Sequence, residues 1–289
     1  LAPPVGRDGL RARQAPLGLR RIEAALVQDG WDAADVAVVR PEELSRALGQ
    51  RTRVVGLASG DPLGLGMNSN TMTAIAGGHI HTGRAFQRLA RRVGEKLRRL
   101  APHARVVVGG PGAWQLAADD DARRTFGVDH VVTGYCEANV ADLFRRLAEG
   151  DSLPPVLQGE CPAADGVPPI RGASVMGSVE LSRGCGLGCQ FCALAHLRMI
   201  HLPETTILAD AQTNLAAGVT SIALVGEDIF RYGARQGRSP SLAMAGTSLP
   251  GGTGGHHRQG EEPLSGRVRP AALFSLLGRL RELPGLRLI

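Results

Sequence analysis

Short apolar runs alternate with amphipathic helical patterns along this chain, and this alternation limits the folds it can adopt. Runs that favour strands occur at 36–39, 54–58, 105–108, 128–132, 179–182 and 221–225. Apolar residues at helical spacing occur at 18–29, 86–100, 140–147 and 205–217, and Pro270 begins a further helix. Strands that alternate with helices form parallel sheets with helices on their faces. We therefore predict an α/β fold whose N-terminal half is a doubly wound parallel sheet.

The length of 289 residues and two irregular stretches predict two domains. Residues 151–174 contain five prolines and little periodicity, which is typical of a linker. We predict a first domain over 1–150 and a second over 175–289, interrupted by a low-complexity loop at 235–268. A last strand begins near Leu286. Because the chain begins with Leu1 and ends at Ile289 inside that strand, we expect it to be a fragment.

Three of the five cysteines lie within eight residues, at Cys185-x-x-x-Cys189-x-x-Cys192 on a glycine-rich loop. Soft thiolate ligands select zinc, copper(I) or an iron–sulfur cluster. Structural zinc takes four protein ligands, and neither His196 nor His201 is a clean fourth one. Three cysteines suit a 4Fe–4S cluster in which one iron has no protein ligand. A plain ferredoxin has the tighter spacing C-x₂-C-x₂-C, so the pattern argues against an electron carrier.

The cysteine spacing, with Phe191 before the last cysteine, resembles the signature of radical S-adenosylmethionine (SAM) proteins. The order of elements over about residues 17–234 resembles the cobalamin-binding members of that superfamily. The resemblance implies a Rossmann-like cobalamin-binding domain followed by a partial TIM-like barrel, here truncated. It also implies that Cys185, Cys189 and Cys192 hold the cluster. By the same resemblance SAM binds the free iron, Phe191, Gly226 and Glu227, with the Glu227 carboxylate paired to the SAM ammonium group.

Three loops with glycines follow neighbouring strands of the first domain, and ligands of such sheets bind outside the carboxyl ends of the strands. The resemblance assigns these loops to cobalamin, and the candidate contacts are Ser59, Gly60, Asp61, Leu63, Gly64, Gly109, Gly110 and Gly134. The Asp-x-His-x-x-Gly motif that supplies an axial histidine in many cobalamin proteins is absent, because Asp129-His130 lacks the spacing. We therefore expect no imidazole ligand to cobalt.

The resemblance implies reductive cleavage of SAM to methionine and a 5′-deoxyadenosyl radical, with cobalamin available for methyl transfer or rearrangement. The expected partners are a small-molecule or peptide substrate and an electron donor such as flavodoxin or ferredoxin. No residue is assigned to catalysis. The net charge of +6 comes almost wholly from arginines on helix faces, so we expect a solvated surface and no nucleic-acid partner. Cysteine usage and the lack of a long apolar run predict a cytoplasmic protein without membrane spans.

Three alternatives follow from the same residues. The first is a radical SAM enzyme whose N-terminal domain does not bind cobalamin. The second is a non-catalytic iron–sulfur module, which would have no use for the carboxylate of Glu227. The third is a tRNA methylthiotransferase, which needs three more cysteines in the N-terminal domain. Only Cys136 and Cys161 remain outside the motif, so the sequence argues against the third.

Overall fold

The computed structural model describes residues 7–78, 81–185, 197–234 and 268–289. The predicted site residues Cys189, Phe191 and Cys192 lie outside the described residues, as do His196 and almost all of the low-complexity loop. The described strands are β1 Arg7–Asp8, β2 Arg11–Ala12, β3 Gln14–Ala15, β4 Val54–Ala58, β5 Arg105–Gly109, β6 His130–Thr133, β7 Val156–Gln158, β8 Ala173–Ser174, β9 Ser178–Glu180, β10 Ser182–Arg183, β11 Ile200–His201 and β12 Ala223–Val225. The described α-helices are α1 Leu17–Gln28, α2 Leu44–Ala47, α3 Met67–Ala76, α4 His81–Leu100, α5 Ala113–Ala117, α6 Asp120–Thr125, α7 Val140–Glu149, α8 Glu204–Ala216 and α9 Pro270–Arg281.

A four-stranded parallel sheet forms the first half of the fold. Its order is β4-β5-β6-β7, so the described strands follow one another across the sheet in chain order without a reversal. Helices cover both faces: α4, α5 and α6 contribute to the core on one face, and α7 to the core on the other. Parallel strands need such cover, since both of their faces are apolar. The predicted α/β fold with a parallel sheet is confirmed.

Helix α4 shows how the sequence sets this packing. Its residues Phe86, Ala90, Val93 and Leu97 recur at intervals of four and three, which places them on one helix face. All four are buried in the core against β4 and β5. The ring of Phe86 meets the ring of Phe126 edge-on, with centroids 6.2 Å apart. The arginines of α4 lie on the opposite, exposed face.

The second half begins a further parallel sheet. Strand β12 pairs parallel to β9, and Ser221 forms an isolated parallel bridge with Leu288. The apolar residues of these strands pack against α8 and α9 in a separate core. Strand, helix and parallel strand in this order form a βαβ unit, which agrees with the predicted start of a TIM-like barrel.

Three predictions of secondary structure differ from the structure. The predicted last strand near Leu286 is not formed, and only Leu288 makes an isolated bridge, with Ser221. Residues 36–39 do not form a strand; a single hydrogen bond joins this stretch to β2, from Ala12 N to Val38 O at 2.9 Å. Instead, β7 lies inside the predicted linker and is the fourth strand of the sheet. The prolines just before β7 are tolerated because it lies at an edge of the described sheet. The predicted domain boundaries stay a prediction.

Helix α1, near the start of the chain, is tied to the second half by buried polar contacts. Arg21 donates 3.0 Å from Nη1 to Asp210 Oδ1 on α8, and its Nη2 donates to the other carboxylate oxygen. The same Nη1 donates 2.7 Å to the carbonyl of Pro168. Arg21 and Asp210 are both fully buried, so each charge depends on the other for its compensation.

Candidate cofactor site

The cysteine loop leaves and returns at one narrow neck. Strands β10 and β11 pair antiparallel across it, with Ser182 opposite His201. Gly184 has φ of 67°, and a Cβ there would lie 2.7 Å from the carbonyl oxygen of Leu197. Only glycine fits both the left-handed backbone and this approach. The neck therefore holds the two ends of the loop together immediately before Cys185.

Cys185 is the one predicted cluster ligand among the described residues. It carries a free thiol and is half-buried. Arg231, in the turn after β12, donates 2.8 Å from Nη1 to its backbone carbonyl. The start of the cysteine loop is thus attached to the segment that follows Glu227. Within the described residues no three His, Cys, Asp or Glu side chains are grouped to hold a metal ion.

The predicted SAM residues Gly226 and Glu227 lie beside the start of the cysteine loop. The parallel register places Val225 opposite Glu180, so the next residues of both chains leave the sheet at the same edge. A Cβ on Gly226 would lie 2.9 Å from Ser182 Oγ, closer than real Cβ contacts come. A side chain at 226 would therefore force the hydroxyl of Ser182 to move. Glu227 is exposed, and no hydrogen bond or ion pair of its side chain is found in the described part of the chain.

A cavity of about 270 Å³ opens at this edge, and its lining residues are Tyr135, Glu180, Ser182, Val225, Gly226 and Glu227. Five of the six come from the strands of the second half or directly follow them. The sixth, Tyr135, comes from the loop after β6 of the first sheet. The hydroxyl of Ser182 is buried and has no hydrogen-bond partner among the described atoms. A buried polar group of this kind points to a missing ligand or water.

Arg183 lies behind this cavity and joins the two halves. Its Nε donates a hydrogen bond of 2.9 Å to Glu180 Oε1. Its Nη2 donates one hydrogen bond of 3.0 Å to Glu180 Oε2 and another of 2.6 Å to Glu137 Oε1. Its Cζ lies 4.2 Å from the ring centroid of Tyr135. The side chains of Arg183 and Glu137 are 3% and 4% exposed, so the bond between the halves is shielded from water. The second oxygen of Glu137 is buried without a partner among the described atoms.

Burial and the charges around Arg183 shift the pKa values of Arg183 and of its neighbours Tyr135 and Cys136. Burial raises the pKa of the Tyr135 phenol, and the negative charges of Glu227 and Glu180 raise it further. Burial and then the charge of Glu137 raise the pKa of the Cys136 thiol to about 12. Burial opposes the charge of Arg183, but the hydrogen bonds and charges of Glu180 and Glu137 outweigh it and raise the pKa of the guanidinium. Tyr135 and Cys136 are therefore neutral at pH 7.

The three predicted cobalamin loops meet at one rim of the first sheet. Ser59 N donates 3.2 Å to Gly109 O, and Gly112 N donates 3.0 Å to Ser59 O. Asp61 holds the first loop: it accepts 3.0 Å from Gly66 N and 2.7 Å from Gln115 Nε2. Partial burial raises the pKa of Asp61, but its hydrogen bonds lower it by more, so it lies below its ordinary value. Gln115 in turn accepts 2.8 Å from Leu63 N, so this one glutamine fixes the loop at two points.

The glycines of this rim have different structural roles. A Cβ on Gly112 would lie 2.6 Å from the carbonyl carbon of Gly60, and one on Gly110 would lie 3.1 Å from Ser59 O. These glycines are needed because the loops pack on each other. A Cβ on Gly60 would meet nothing within 4 Å among the described atoms. Gly64 and Gly134 have positive φ, at 76° and 84°. The open space at Gly60 suits a bound ligand.

His130 lies away from the rim. It begins β6, at the amino end of the strand, whereas the rim lies at the carboxyl ends. Its Nδ1 lies 2.8 Å from the carbonyl of Pro154. A side chain at the opposite end of the strand cannot be a cobalt ligand at the rim. The expectation that no imidazole binds cobalt stays a prediction.

Four residues of the site were not predicted from the sequence: Tyr135, Glu137, Ser182 and Arg183. The available signal was the pair of charges at Glu180 and Arg183 around a strand that otherwise reads as buried. An arginine inside a strand edge directly before the cysteine loop needs carboxylate partners. Its distant partner Glu137 could not be identified from a local pattern.

Comparisons place the chain near known methyl- and methylthiotransferases. No family model matches it. It is 30% identical over 101 residues to the ribosomal protein uS12 methylthiotransferase RimO of Oleidesulfovibrio alaskensis, which is 33% of this chain and 24% of that protein. It is 26% identical over 150 residues to the tRNA-2-methylthio-N(6)-dimethylallyladenosine synthase of Cupriavidus necator, which is 51% of this chain and 33% of that protein. The chain thus spans a quarter to a third of the length of these relatives.

Two solved structures of the radical S-adenosylmethionine methyltransferase TsrM from Kitasatospora setae are similar in part. One, with cobalamin and a 4Fe–4S cluster bound, is 15% identical, with a TM-score of 0.47 over 75% of this chain and 47% of that chain. The other, with tryptophan and the SAM analogue aza-SAM, is 17% identical, with a TM-score of 0.48 over 74% of this chain and 45% of that chain. Among the described helices, none combines the length and the apolar character that a membrane crossing requires. In sequence the chain is similar to methylthiotransferases over a third to a half of its length.

Proposed function

We propose that this chain is part of a radical SAM enzyme. Cys185, Cys189 and Cys192 hold one 4Fe–4S cluster, and SAM occupies the cavity beside Gly226 and Glu227. The observation that carries the proposal is the shared edge of β9 and β12, where the chain of β9 continues into β10. One strand leads through the neck into the cysteine loop, and the other leads into an exposed carboxylate on the same cavity. The sequence similarity to methylthiotransferases supports it.

The cavity has the chemistry that SAM requires. SAM carries an ammonium group and a sulfonium group, and both are cations. Glu227 supplies an exposed carboxylate for the ammonium, and a charge-assisted bond of this kind is stronger than one between neutral groups. The unpartnered hydroxyl of Ser182 can donate to the SAM carboxylate or accept from its ammonium. These residues fit SAM better than they fit an anionic ligand.

The bound cofactors supply electron transfer and radical formation, and the chain supplies position and shielding. The neck at Gly184 fixes where the cysteine loop begins. Gly226 keeps the cavity free of a side chain at the point where Ser182 lies beneath it. Burial of Arg183, Glu137 and Ser182 excludes water from the wall of the cavity. Electrons come from a separate donor protein such as flavodoxin or ferredoxin, in a reducing, cytoplasmic setting.

Cobalamin binding at the rim is the finer part of the proposal. The rim offers exposed backbone at Gly60, and it adjoins the cavity because Tyr135 follows Gly134 directly. A ligand at the rim would therefore lie next to a ligand in the cavity, as methyl transfer or rearrangement requires. The substrate, a small molecule or a peptide, would bind where the two meet.

The test is anaerobic reconstitution of the chain with iron and sulfide, followed by spectra with and without SAM and cobalamin. We expect about four irons per chain if one 4Fe–4S cluster forms, a spectral change on SAM addition, and retention of cobalamin through gel filtration. A chain that takes up iron but gives no response to SAM would instead be a non-catalytic iron–sulfur module. Retention of SAM without cobalamin would leave a radical SAM enzyme whose first domain serves another purpose.

Methylthio transfer is a second candidate, because the sequence relatives carry that activity in their names. The cysteine count opposes it. Outside the motif the chain has only Cys136, half-buried with a raised pKa, and the exposed Cys161. Iron analysis separates the candidates, since a second cluster would raise the iron content beyond that of one.

A further inference from the structure

The cavity is lined by one residue that does not belong to the barrel. Tyr135 follows β6 in the first sheet, whereas the other lining residues lie on or directly after β9, β10 and β12. The sheet therefore completes a site that is otherwise built by the barrel strands. A tyrosine at this place presents both a ring and a hydroxyl to whatever the cavity holds.

The ring of Tyr135 is held in place from behind. Arg183 lies 4.2 Å from its centroid, and three hydrogen bonds to Glu180 and Glu137 fix that guanidinium. The carboxylates of Glu180 and Glu137 carry two negative charges, against the one positive charge of Arg183. With Glu227 on the cavity side and the Arg21–Asp210 pair beside Glu180 counted, four carboxylates stand against two guanidinium groups, so the net charge around the ring is negative. The ring is thus both immobilised and surrounded by net negative charge.

An aromatic face in a negatively charged cavity attracts cations. The quadrupole of an aromatic ring favours a cation over its face, and this preference grows when water is excluded. Raised pKa values keep the phenol itself neutral, so it adds no repelling or attracting charge of its own. A neutral ligand of the same shape gains nothing from either effect. The volume of about 270 Å³ is at the small end for ligand sites, so it fits the charged end of a ligand rather than all of it.

We propose that Tyr135, presented by the first sheet, is the residue by which the barrel cavity distinguishes a positively charged sulfonium ligand from its neutral thioether. This inference rests on the proposed function, in that it takes SAM as the ligand. It goes further by naming a specificity residue outside the barrel. Glu137 contributes by holding Arg183 in position, and Arg183 in turn holds the ring of Tyr135.

The test compares three ligands on the reconstituted full chain: SAM, S-adenosylhomocysteine and sinefungin. S-adenosylhomocysteine has a neutral sulfur, whereas sinefungin carries an ammonium group at that position. We expect the unaltered chain to bind SAM and sinefungin more tightly than S-adenosylhomocysteine. Tyr135→Leu should lower the affinity for both cations by roughly two- to thirtyfold and leave that for S-adenosylhomocysteine within about twofold. Tyr135→Phe keeps the ring and should keep the discrimination.

Equal losses for all three ligands in Tyr135→Leu would overturn the inference while the proposed function stands. If the unaltered chain binds none of them, the proposed function fails and the inference fails with it. Glu137→Gln provides a second route should Tyr135→Leu fold poorly. Its amide oxygen can still accept from Arg183, but one negative charge is gone, so the preference for SAM over S-adenosylhomocysteine should shrink. An unchanged preference in both Glu137→Gln and a folded Tyr135→Leu would contradict the inference.

Discussion

Arg183 and Glu137 join the two halves of this molecule through a hydrogen bond of 2.6 Å between buried, oppositely charged side chains. The bond starts one residue before the neck of the cysteine loop and ends on the loop after β6. It makes the position of the cavity wall depend on the first sheet. Glu180, which accepts from Arg183, also lies near Arg21 of helix α1, whose Nε is 3.5 Å from Glu180 Oε2.

Replacing Arg183 with Met should destabilise the fold. The change leaves Glu137 and Glu180 buried without their cation, and breaking a buried pair in this way costs about 3–5 kcal/mol. Urea unfolding at pH 7 measures the loss. The control is Arg84→Met on the exposed face of α4, which should change stability little. If Arg183→Met unfolds at the same urea concentration as the control, the buried pair does not hold the halves together.

Replacing any of Cys185, Cys189 or Cys192 with Ala should abolish cluster assembly, because three thiolates are the minimum set for a cluster with one open iron. Iron and sulfide content after anaerobic reconstitution is the measurement, with the broad visible absorbance as a second readout. Cys161→Ala is the matched control, since this exposed cysteine lies outside the motif. Full iron content in the triple variant would rule out the assignment.

Glu227→Gln should weaken SAM binding and leave the fold unchanged. The amide keeps the shape but loses the charge, and a hydrogen bond to a charged group contributes about 1.5–3 kcal/mol. Isothermal titration with SAM on reconstituted protein gives the difference. Glu149→Gln, at the exposed end of α7, removes the same charge far from the cavity and should bind SAM normally. Equal affinities in the two variants would exclude the role of Glu227.

Gly60→Leu and Gly112→Ala should separate ligand binding from folding at the rim. A side chain at Gly60 meets open space, so Gly60→Leu should keep its thermal stability and lose cobalamin retention. At Gly112 a Cβ would lie 2.5 Å from Pro62 Cδ, so Gly112→Ala should destabilise the fold by about 1–3 kcal/mol through overpacking. Cobalamin retained by Gly60→Leu would exclude this part of the rim as a contact.

The stability should fall at acid pH because of His201. Burial lowers its pKa below 6.5, and the charge of Arg231 lowers it further, against a hydrogen bond to Ala234 O that raises it. The folded state therefore prefers neutral His201, and the unfolded state takes up a proton first. The contribution is complete above pH 6.5 and is lost progressively as the pH falls from 6.5 through the lower pKa of the folded state.

His201→Gln should flatten this part of the stability profile between pH 8 and pH 5, as followed by thermal unfolding. His103→Gln is the control, because His103 is exposed. A profile of His201→Gln that is as steep as that of the unaltered chain would show that another group is responsible.

The sequence predicted those parts of the fold that local patterns encode. The spacing of Leu89, Val93 and Leu97 predicted a helix from about Phe86 to Leu100, and α4 confirms it with an earlier start at His81. The apolar run at 54–58 predicted β4 within its observed bounds. The stretch at 36–39 carries the same apolar signal as a strand, yet among the described residues it shares only one backbone hydrogen bond with a neighbouring strand, from Ala12 N in β2 to Val38 O. Strand formation depends on such partners, and a local pattern does not contain them.

The candidate site shows the same division. The positions of Cys185, Gly226 and Glu227 follow from motifs at strand ends, and the structure brings these residues to one edge. The contacts of Arg183 with Tyr135 and Glu137 join residues that are far apart in the chain, so no local pattern predicts them. Gly110 was expected to contact a ligand, and its actual neighbour is the backbone of Ser59. Ligand binding and close packing between loops both favour glycine, and only the three-dimensional contacts show which of the two applies.

The neck at Gly184 has a consequence for how sequences of this kind can vary. Because the two ends of the cysteine loop meet between β10 and β11, the length and composition of the loop can change without moving either strand. Closing a somewhat longer loop adds little entropic cost. A different metal-binding loop grafted between residues 184 and 197 would therefore begin beside the same cavity. The neck makes the loop an exchangeable module, and the glycine that closes it is the position that such a graft must keep.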